Sequence, residues 1–286
     1  MKETILRRIK DASLNSPTLI EGLPGVGHVG KLVAEHLIEE LDAEKIIEIY
    51  SPHFPPQVLV QDDGTVKQVK NEIYAYKGED KDILLLVGDY QSATNEGHYE
   101  LTGIFLDLAE ELGVKRIYTL GGYGTGQFVD KPEVMGAANS LELVEEMKEL
   151  GVVFQENEPG GGIVGVSGLL VGMSGLRGIE AVCLMGMTSG YLVDPKSAQE
   201  VLKVLCTALE IEVGMQALED RANDMERSSA SFERWKSPIF PTSLPVMTTC
   251  GTLDKHDFRS DRECAPPPQS GRTGRCRGSR SLRTCD

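Results

Sequence analysis

The chain has 286 residues, of which 40% are hydrophobic and 26% are charged, and its formal net charge is −15. This composition is unlike that of a disordered chain, and the length is sufficient for a buried core. Residues 1–227 hold 19 Lys and Arg against 38 Asp and Glu, so we expect no nucleic-acid partner, because such binding needs cations that displace phosphate counterions.

The sequence gives no sign of a membrane segment or a secretion signal. Its apolar runs are all shorter than the roughly 20 residues that a membrane helix requires. The opening stretch MKETILRRIKDASL mixes charges of both signs and lacks the apolar centre of a signal peptide. We therefore expect a cytoplasmic protein with no membrane contact.

Strands and helices alternate from the start of the chain. PTLIEGL predicts a short buried strand, and GHVGKLVAEHLIEELD predicts a helix with its apolar residues near one face. EKIIEIYS predicts a second strand. The segment after QVLV predicts a hairpin that turns at Asp63-Gly64, followed by one or two further strands. One of these, DILLLVGD, is a continuous apolar run, which is typical of a strand covered on both faces.

The alternation continues beyond residue 95. GHYELTGIFLDLAEELGV predicts a helix that ends at Gly113, and KRIYTLGG predicts a strand. NSLELVEEMKELGV predicts a helix with Asn139 or Ser140 as its N-cap and Gly151 as its end. GIVGVSGLLVGMSGLRG predicts a buried helix, and IEAVCLMGM a last core strand. DPKSAQEVLKVLCTALEI predicts a helix with Asp194 as its N-cap, and ALEDRANDMER an acidic helix.

This order of elements predicts an α/β protein with a mostly parallel sheet flanked by helices, and we assign residues 1–227 to that single domain. Residues 228–286 show no periodicity and are rich in Ser, Arg, Pro and Cys, which predicts a disordered tail. The abrupt change in composition also suggests the hypothesis of a shifted reading frame or a cloning remnant.

The cysteines divide at the same place. Cys183 and Cys206 lie inside apolar runs, so we expect them to be buried, reduced and inert. The four cysteines of the tail form no Cys-x-x-Cys pair, and the histidines show no metal-ligand spacing. We therefore expect no metal site.

The stretch EGLPGVGHVGKL, residues 21–32, allows three interpretations. It approaches a phosphate-binding loop, but Leu32 stands where a Ser or Thr hydroxyl would hold Mg²⁺. It also approaches the dinucleotide fingerprint, but the acidic residue Glu48 lies inside the next strand instead of at its tip. We favour the third interpretation, a turn that lets a strand enter a tightly packed helix, and we expect no cofactor. The residues of this turn are Gly22, Gly25, Gly27, Gly30 and Lys31.

Two loops are candidates for a contact or ligand site. GDYQSATNEGHYE follows a core strand, where α/β proteins place ligand sites, and its side chains would suit an acid–base cluster. We favour the simpler interpretation of a polar loop with capping residues. In SGYLVDP, Tyr191 and Leu192 are predicted to be exposed beside a helix start, which suits a subunit contact. The candidate residues of the first loop are Asp89, Gln91, Glu96, His98 and Glu100.

Three stretches together resemble the proteasome assembly chaperone 2 family in its archaeal form. They are EGLPGVGHVGKLVAEHLIEEL, GDYQSATNEGHYELTGIFLDLAEELGVKRIYTLGGYGTG and GLRGIEAVCLMGMTSGYLVDPKSAQEVLKVLCTALEIEVGMQALEDRANDME, and the resemblance covers roughly residues 15–226 in collinear order. It implies a three-layer α/β/α fold of the phosphorylase/hydrolase-like type and a homo-oligomer. It also implies a non-enzymatic, ATP-independent role in guiding or binding the 20S proteasome through its α subunits. The glycine turn is then a signature of the fold.

The C-terminus departs from part of that family. Some archaeal members end in a hydrophobic–Tyr–any-residue tripeptide, which docks between proteasome α subunits. This sequence ends Arg283-Thr284-Cys285-Asp286, and its last tyrosine is Tyr191. We therefore do not expect docking of that kind.

Two alternatives to the chaperone or scaffold hypothesis stay open. The first is an enzyme that acts on a nucleoside or a phosphate ester, suggested by the glycine loops and the acids at strand ends. The second is a binding module unrelated to proteasomes, because a shared fold does not fix function.

Overall fold

The computed structural model describes residues 1–155, 162–218 and 220. The strands in these residues are β1 (Ile5–Arg8), β2 (Thr18–Glu21), β3 (Glu44–Tyr50), β4 (Val58–Val60), β5 (Val66–Gln68), β6 (Asn71–Lys77), β7 (Asp82–Gly88), β8 (Arg116–Gly124), β9 (Val134–Ala138) and β10 (Glu180–Thr188). The helices are α1 (Val29–Glu40), α2 (Asn95–Glu111), α3 (Leu141–Glu149), α4 (Val166–Gly175) and α5 (Pro195–Leu209), with a short 3₁₀ turn at Val26–His28 before α1.

The described strands form one large sheet and one hairpin. The large sheet has the order β1-β3-β6-β7-β2-β8-β10-β9, and β4 pairs with β5. The four central strands β7, β2, β8 and β10 are parallel neighbours. The remaining pairs are antiparallel, and because β3 is reached through two antiparallel steps from β7, it runs in the same direction as the centre. Five of these eight strands therefore share one direction, as the predicted mostly parallel sheet requires.

Helices cover both faces of this sheet, which confirms the three-layer α/β/α arrangement. On one face α2 and α4 bury apolar residues such as Phe105 and Leu170 against the sheet. On the other face α1, α3 and α5 do the same with residues such as Leu37, Met147 and Leu205. Strand β7 lies between these two layers and is buried along its whole length, as its continuous apolar run predicts.

The predicted helix ends are confirmed where the described residues include them. Ser140, and not Asn139, caps α3, since its Oγ accepts a hydrogen bond from the Leu143 N–H at 3.3 Å. The Oδ1 atom of Asp194 caps α5 by accepting from the Ser197 N–H at 3.0 Å. Gly113 follows α2 with a φ of +79°, a conformation that favours glycine.

Two edge strands are absent from the predicted elements. All four residues of β1 are exposed, and β9 is a short strand of mixed apolar and small residues. Neither sequence therefore carries the buried apolar run from which the inner strands were predicted. The acidic helix from residue 217 lies almost entirely outside the described residues, as do the predicted tail at 228–286 and the domain boundary before it.

The two cysteines of the domain differ in exposure. Cys183 is fully buried in β10, whereas Cys206 in α5 is only partly buried, contrary to the expectation for both. Neither forms a disulfide. Burial raises the pKa of the Cys183 thiol to about 12 and that of Cys206 to about 11. Both thiols are therefore protonated at neutral pH, and a protonated thiol is a poor nucleophile.

A cluster of charged side chains, two of them buried, lies in the part of the sheet where the strands are antiparallel. The Lys70 ammonium forms ion pairs with Glu48 and with Glu72, the latter at 2.7 Å, and Lys45 reaches Glu72 at the same distance. The side chains of Lys70 and Glu48 are 9% and 8% exposed. Burial by itself would raise the pKa of Glu48, but the hydrogen bond and charge of Lys70 outweigh it and hold that pKa at about 2.

Candidate functional site

The sequence-predicted site residues gather where the central strands end. The glycine turn follows β2, the polar loop of residues 89–94 follows β7, and the Tyr191 loop follows β10. These three strands are parallel, so their carboxyl ends lie at one edge of the sheet. In α/β proteins this edge is the usual place for a binding site.

Two glycines of the turn stand where a side chain would collide with neighbouring atoms, and a third has a left-handed backbone conformation. A Cβ atom on Gly30 would lie 2.1 Å from the carbonyl oxygen of Leu120 in β8, and one on Gly22 would lie 2.4 Å from the carbonyl oxygen of Gly30. Gly27 has a φ of +62° and packs against Thr188. Gly25 has an extended conformation and open space around it. The turn therefore allows close main-chain packing between β2, α1 and β8, in line with the third interpretation of the glycine stretch.

The lysine of the turn is engaged with the protein itself. The Lys31 ammonium donates a hydrogen bond to the carbonyl oxygen of Gly88 at 3.2 Å and lies 3.5 Å from a carboxylate oxygen of Glu35. The carbonyl oxygen of Gly27 accepts from the N–H of Asp194 at 2.8 Å. These contacts hold the turn against β7 and the loop after β10.

The dinucleotide interpretation fails on topology. In that fold the acidic residue stands at the end of the strand next to the glycine-bearing strand. Here Glu48 lies in β3, which β6 and β7 separate from β2. Its carboxylate also forms ion pairs with Lys70 and with Arg7, the latter at 3.2 Å.

The polar loop after β7 makes structural contacts and does not assemble the acid–base cluster. Asp89 accepts from the Lys70 N–H at 3.1 Å and lies 3.6 Å from the Lys67 ammonium. Glu96 is exposed in the first turn of α2, and burial lowers the pKa of His98, whose Nδ1 atom has no hydrogen-bond partner. Glu100 instead contacts His53, at 2.9 Å.

Gln91 makes the most extended contact in this loop. Its side-chain amide nitrogen donates to the carbonyl oxygen of Pro24 at 2.8 Å, and its oxygen accepts from the N–H of Val166 at 3.0 Å. One amide group thus connects the glycine turn, which leads into α1, to the first residue of α4. Gln91 therefore ties the loop after β7 to both the glycine turn and the start of α4 at this edge.

A buried acid lies beneath the glycine turn. Glu21 is fully buried, and its carboxyl oxygens accept hydrogen bonds from the Leu23 N–H at 2.9 Å and the Ser167 hydroxyl at 2.8 Å. Burial outweighs both hydrogen bonds and raises its pKa to about 7. The signal in the sequence is an acid at the end of an apolar strand, but only the fold shows that Ser167, far along the chain, is its partner.

A Glu21→Gln variant is expected to be more stable than the wild type at pH 8 and about equally stable at pH 4.5. The folded protein holds the Glu21 proton up to a pKa of about 7, whereas the unfolded chain releases it near 4.5. The contribution of Glu21 to the free energy of unfolding is therefore fully present below pH 4.5. It is lost as the pH rises through 7, and the loss amounts to about 3 kcal/mol. Denaturant unfolding at the two pH values measures the difference in free energy of unfolding between the variant and the wild type. Glu96→Gln is the control for removal of an exposed acid. A variant with the pH dependence of the wild type would contradict the assignment.

An exposed apolar rim borders the same edge. Tyr191, Leu192 and Val193 are 77%, 50% and 41% exposed, in agreement with the predicted exposure of this loop, and Val26 of the glycine turn is 45% exposed. Val26 lies close to Gly124 and Gly190, so it joins the end of β8 to the loop after β10. Phe128, four residues beyond β8, is 82% exposed. These five side chains are called the apolar rim below.

The described residues contain neither a metal-ligand cluster nor a helix suited to a membrane. Within residues 1–155, 162–218 and 220, the structure brings together no group of three His, Cys, Asp or Glu side chains that could hold a metal ion. Over the same residues, no helix has both the length and the apolar character needed to cross a membrane. His36 is a core histidine, whose Nε2 atom lies 2.6 Å from the carbonyl oxygen of Gly214.

Comparison with known proteins places these features in a family. The model of the PAC2 family matches residues 19–232. Protein MJ1210 of Methanocaldococcus jannaschii is 43% identical over 240 residues, which cover 84% of this chain and 92% of that protein. The crystal structure of PbaB, an archaeal proteasome activator from Pyrococcus furiosus, is 40% identical, with a TM-score of 0.78, and the match covers 82% of this chain and all of PbaB. PbaA of the same organism, an archaeal homologue of proteasome-assembly chaperone, is 27% identical with a TM-score of 0.69, over 82% and 93% of the two chains.

Proposed function

The chain belongs to the PAC2 family, and from this premise we propose that it is a proteasome assembly chaperone or proteasome-binding scaffold. On this proposal it acts in the cytoplasm as a homo-oligomer, through protein–protein contacts with the α subunits of the 20S proteasome. The observation that carries the proposal is the match to PbaB, an archaeal proteasome activator, at 40% identity over the whole length of PbaB. The match to PbaA, a homologue of proteasome-assembly chaperone, supports it.

The glycine turn supports a role that is independent of ATP. A phosphate-binding loop needs free main-chain N–H groups, a free lysine and a hydroxyl for Mg²⁺. In this chain the Lys31 ammonium donates a hydrogen bond to the carbonyl oxygen of Gly88. The next residue is Leu32, which has no hydroxyl group. The role that we propose requires neither a nucleotide nor a catalytic step.

The apolar rim is the surface that we assign to partner contacts. Aromatic side chains dominate the binding energy of many protein interfaces, and Tyr191 and Phe128 are the two most exposed aromatic residues of the described chain. The rim lies on loops at a sheet edge that is held firmly by Gln91 and by the packed glycine turn. Loops on a rigid scaffold are the usual carriers of binding residues.

A Tyr191→Ser variant is expected to bind the 20S proteasome about tenfold more weakly than the wild type, or weaker still, because an exposed aromatic anchor is removed. Binding is measured by retention of assembled 20S particles, and of separate α subunits, on the immobilised chain, with size-exclusion chromatography to report the oligomer. Tyr99→Ser is the matched control, because Tyr99 is also an exposed tyrosine, at 60%, but lies on α2. Equal loss in both variants would contradict the role of the rim, and no retention of either target by the wild type would contradict the proposed function.

A further inference from the structure

Three side chains from two separate parts of the chain meet beside the start of α2. His53 follows β3, Thr94 is the N-cap of α2, and Glu100 lies in the second turn of that helix. The Nδ1 atom of His53 lies 3.1 Å from the Thr94 hydroxyl oxygen, and its Nε2 atom lies 2.9 Å from the Oε2 atom of Glu100. The imidazole therefore stands between a hydroxyl group and a carboxylate, within hydrogen-bond distance of both.

The chemistry of these groups fixes the positions of the protons. An ionised carboxylate can only accept a hydrogen bond, so the His53 Nε2 atom carries the proton of that contact. In the neutral imidazole Nδ1 is then an acceptor, and the hydrogen between it and Thr94 is that of the hydroxyl group. The Thr94 oxygen can donate to His53 while it accepts from the Gly97 N–H at 3.1 Å. The neutral ring is thus set to take a proton from Thr94.

Further contacts hold each member in place. Thr4 donates to the second carboxylate oxygen of Glu100 at 2.8 Å, and this hydrogen bond, followed by that of His53, lowers the pKa of Glu100. The main-chain carbonyl of His53 accepts from the Ala93 N–H at 2.8 Å. A Cβ atom on Gly97 would lie 2.4 Å from the Cβ of His53, so the ring can approach the helix only because residue 97 is glycine.

A capping role explains the contact between Thr94 and Gly97, but it requires neither the imidazole nor the carboxylate. A hydroxyl group, a base within reach of it and a third group that orients the base are together the arrangement that activates a nucleophile. Thr94 is exposed, and His53 is partly exposed, so a small molecule can reach both. In the first turn of α2 the Gly97 N–H already donates to the Thr94 hydroxyl oxygen. The N–H groups of Asn95 and Glu96 point toward the same end of the helix.

We propose that Thr94, His53 and Glu100 form a hydroxyl–imidazole–carboxylate relay that hydrolyses small acyl esters, an activity separate from proteasome binding. The Thr94 oxygen attacks the ester carbonyl while its proton passes to His53 Nδ1, and the bond between the acyl carbon and the leaving oxygen breaks. That oxygen takes the proton from His53 and departs as the alcohol. Water, deprotonated by His53, then attacks the acyl-threonine, and the acid leaves as Thr94 regains its proton. Glu100 is a positioning residue that stabilises the imidazolium formed in each step.

The test uses p-nitrophenyl acetate as the probe and the full chain as the catalyst. We expect the rate of nitrophenolate release to fall about 100-fold in Thr94→Val and in His53→Gln, a loss that is typical for a missing nucleophile or base. Thr94→Ser, which keeps the hydroxyl group, should retain most of the rate. His28→Asn is the matched control for loss of an exposed histidine and should keep the rate of the wild type. Glu100→Gln should displace the pH profile of the rate, because a neutral amide does not stabilise the imidazolium.

A second measurement needs no variant. Brief reaction of the wild type with the probe, followed by acid quenching and peptide mass spectrometry, should place an acetyl group on Thr94. Acetylation confined to lysines or to other residues would overturn the proposal. So would a Thr94→Val variant that is folded, judged by circular dichroism, and hydrolyses the probe as fast as the wild type. Neither result would alter the outcome of the proteasome-retention experiment, so the two proposals fail separately.

Discussion

A Gly30→Ala variant is expected to lose about 3 kcal/mol of its free energy of unfolding, at the upper end of the cost of overpacking a core. The added methyl group would lie 2.1 Å from the carbonyl oxygen of Leu120. That oxygen belongs to a strand in the middle of the sheet, so no side-chain rotation can relieve the collision. Either α1 must move away from β8 or the strand must bend. The midpoint of denaturant unfolding measures the loss.

Gly25→Ala is the matched control in the same turn. Gly25 has an extended backbone, and the nearest atom to an added Cβ is 4.0 Å away. Its replacement should change the free energy of unfolding by less than about 1 kcal/mol, because alanine adopts that conformation without strain. If both variants were as stable as the wild type, the packing explanation of the glycine turn would be wrong. If Gly25→Ala were the more damaging of the two, the turn would have another role.

A Lys70→Met variant is expected to lose about 3 kcal/mol of its free energy of unfolding at pH 7. Removal of one partner from a buried ion pair leaves an uncompensated charge, which costs about 3–5 kcal/mol. Here Lys70 holds Glu48 and Glu72 together, and its own side chain is 9% exposed. The lower end of the range applies because Lys45 stays within 3.4 Å of Glu48 and 2.7 Å of Glu72. Methionine retains the apolar volume, so the loss measures the missing charge.

The pH dependence distinguishes this mechanism from a packing defect. Lys70 holds the pKa of Glu48 at about 2, below its ordinary value of 4.5. The pair therefore stabilises the fold above pH 4.5, and that contribution decreases as the pH falls toward 2. In the Lys70→Met variant, the free energy of unfolding should therefore decrease less between pH 4.5 and pH 2 than it does in the wild type. Lys10→Met is the control, since the pair of Lys10 and Glu44 is exposed on both sides and such pairs contribute less than about 1 kcal/mol. Equal losses in the two variants would contradict the prediction.

The elements that the sequence predicted correctly are those with a local signal, such as a continuous apolar run, a helical period or a turn dipeptide like Asp63-Gly64. The run DILLLVGD became a strand covered on both faces, and Asp194 capped its helix as the local pattern required. These features depend on neighbours in the sequence. The exposed strand β1 was missed because it has no buried apolar run and forms by pairing with β3, a strand about forty residues away. The order of the strands follows from contacts of the same long-range kind.

The candidate site shows the same division. The turn at Gly22–Lys31 was recognised as a packing feature because Leu32 lacks a hydroxyl group, which is a local fact. The partners of its neighbours were not predictable, since Glu21 bonds to Ser167 and Gln91 reaches both Pro24 and Val166. The acid–base cluster, the less favoured interpretation of the polar loop, did not form, because Glu100 lies on the other side of its helix from His98 and meets His53. The sequence shows which helix, strand or loop carries a polar side chain. Its hydrogen-bond partner depends on how distant segments pack together in the fold.

The amide of Gln91 has a mechanical consequence. It is a tether between two segments, with one end on the turn that carries Val26 and the other on the first N–H of α4. A protein that draws the Pro24 segment outward as it docks must either break this tether or pull the start of α4 with it. When the two hydrogen bonds hold, docking at the turn therefore also moves the first residue of α4.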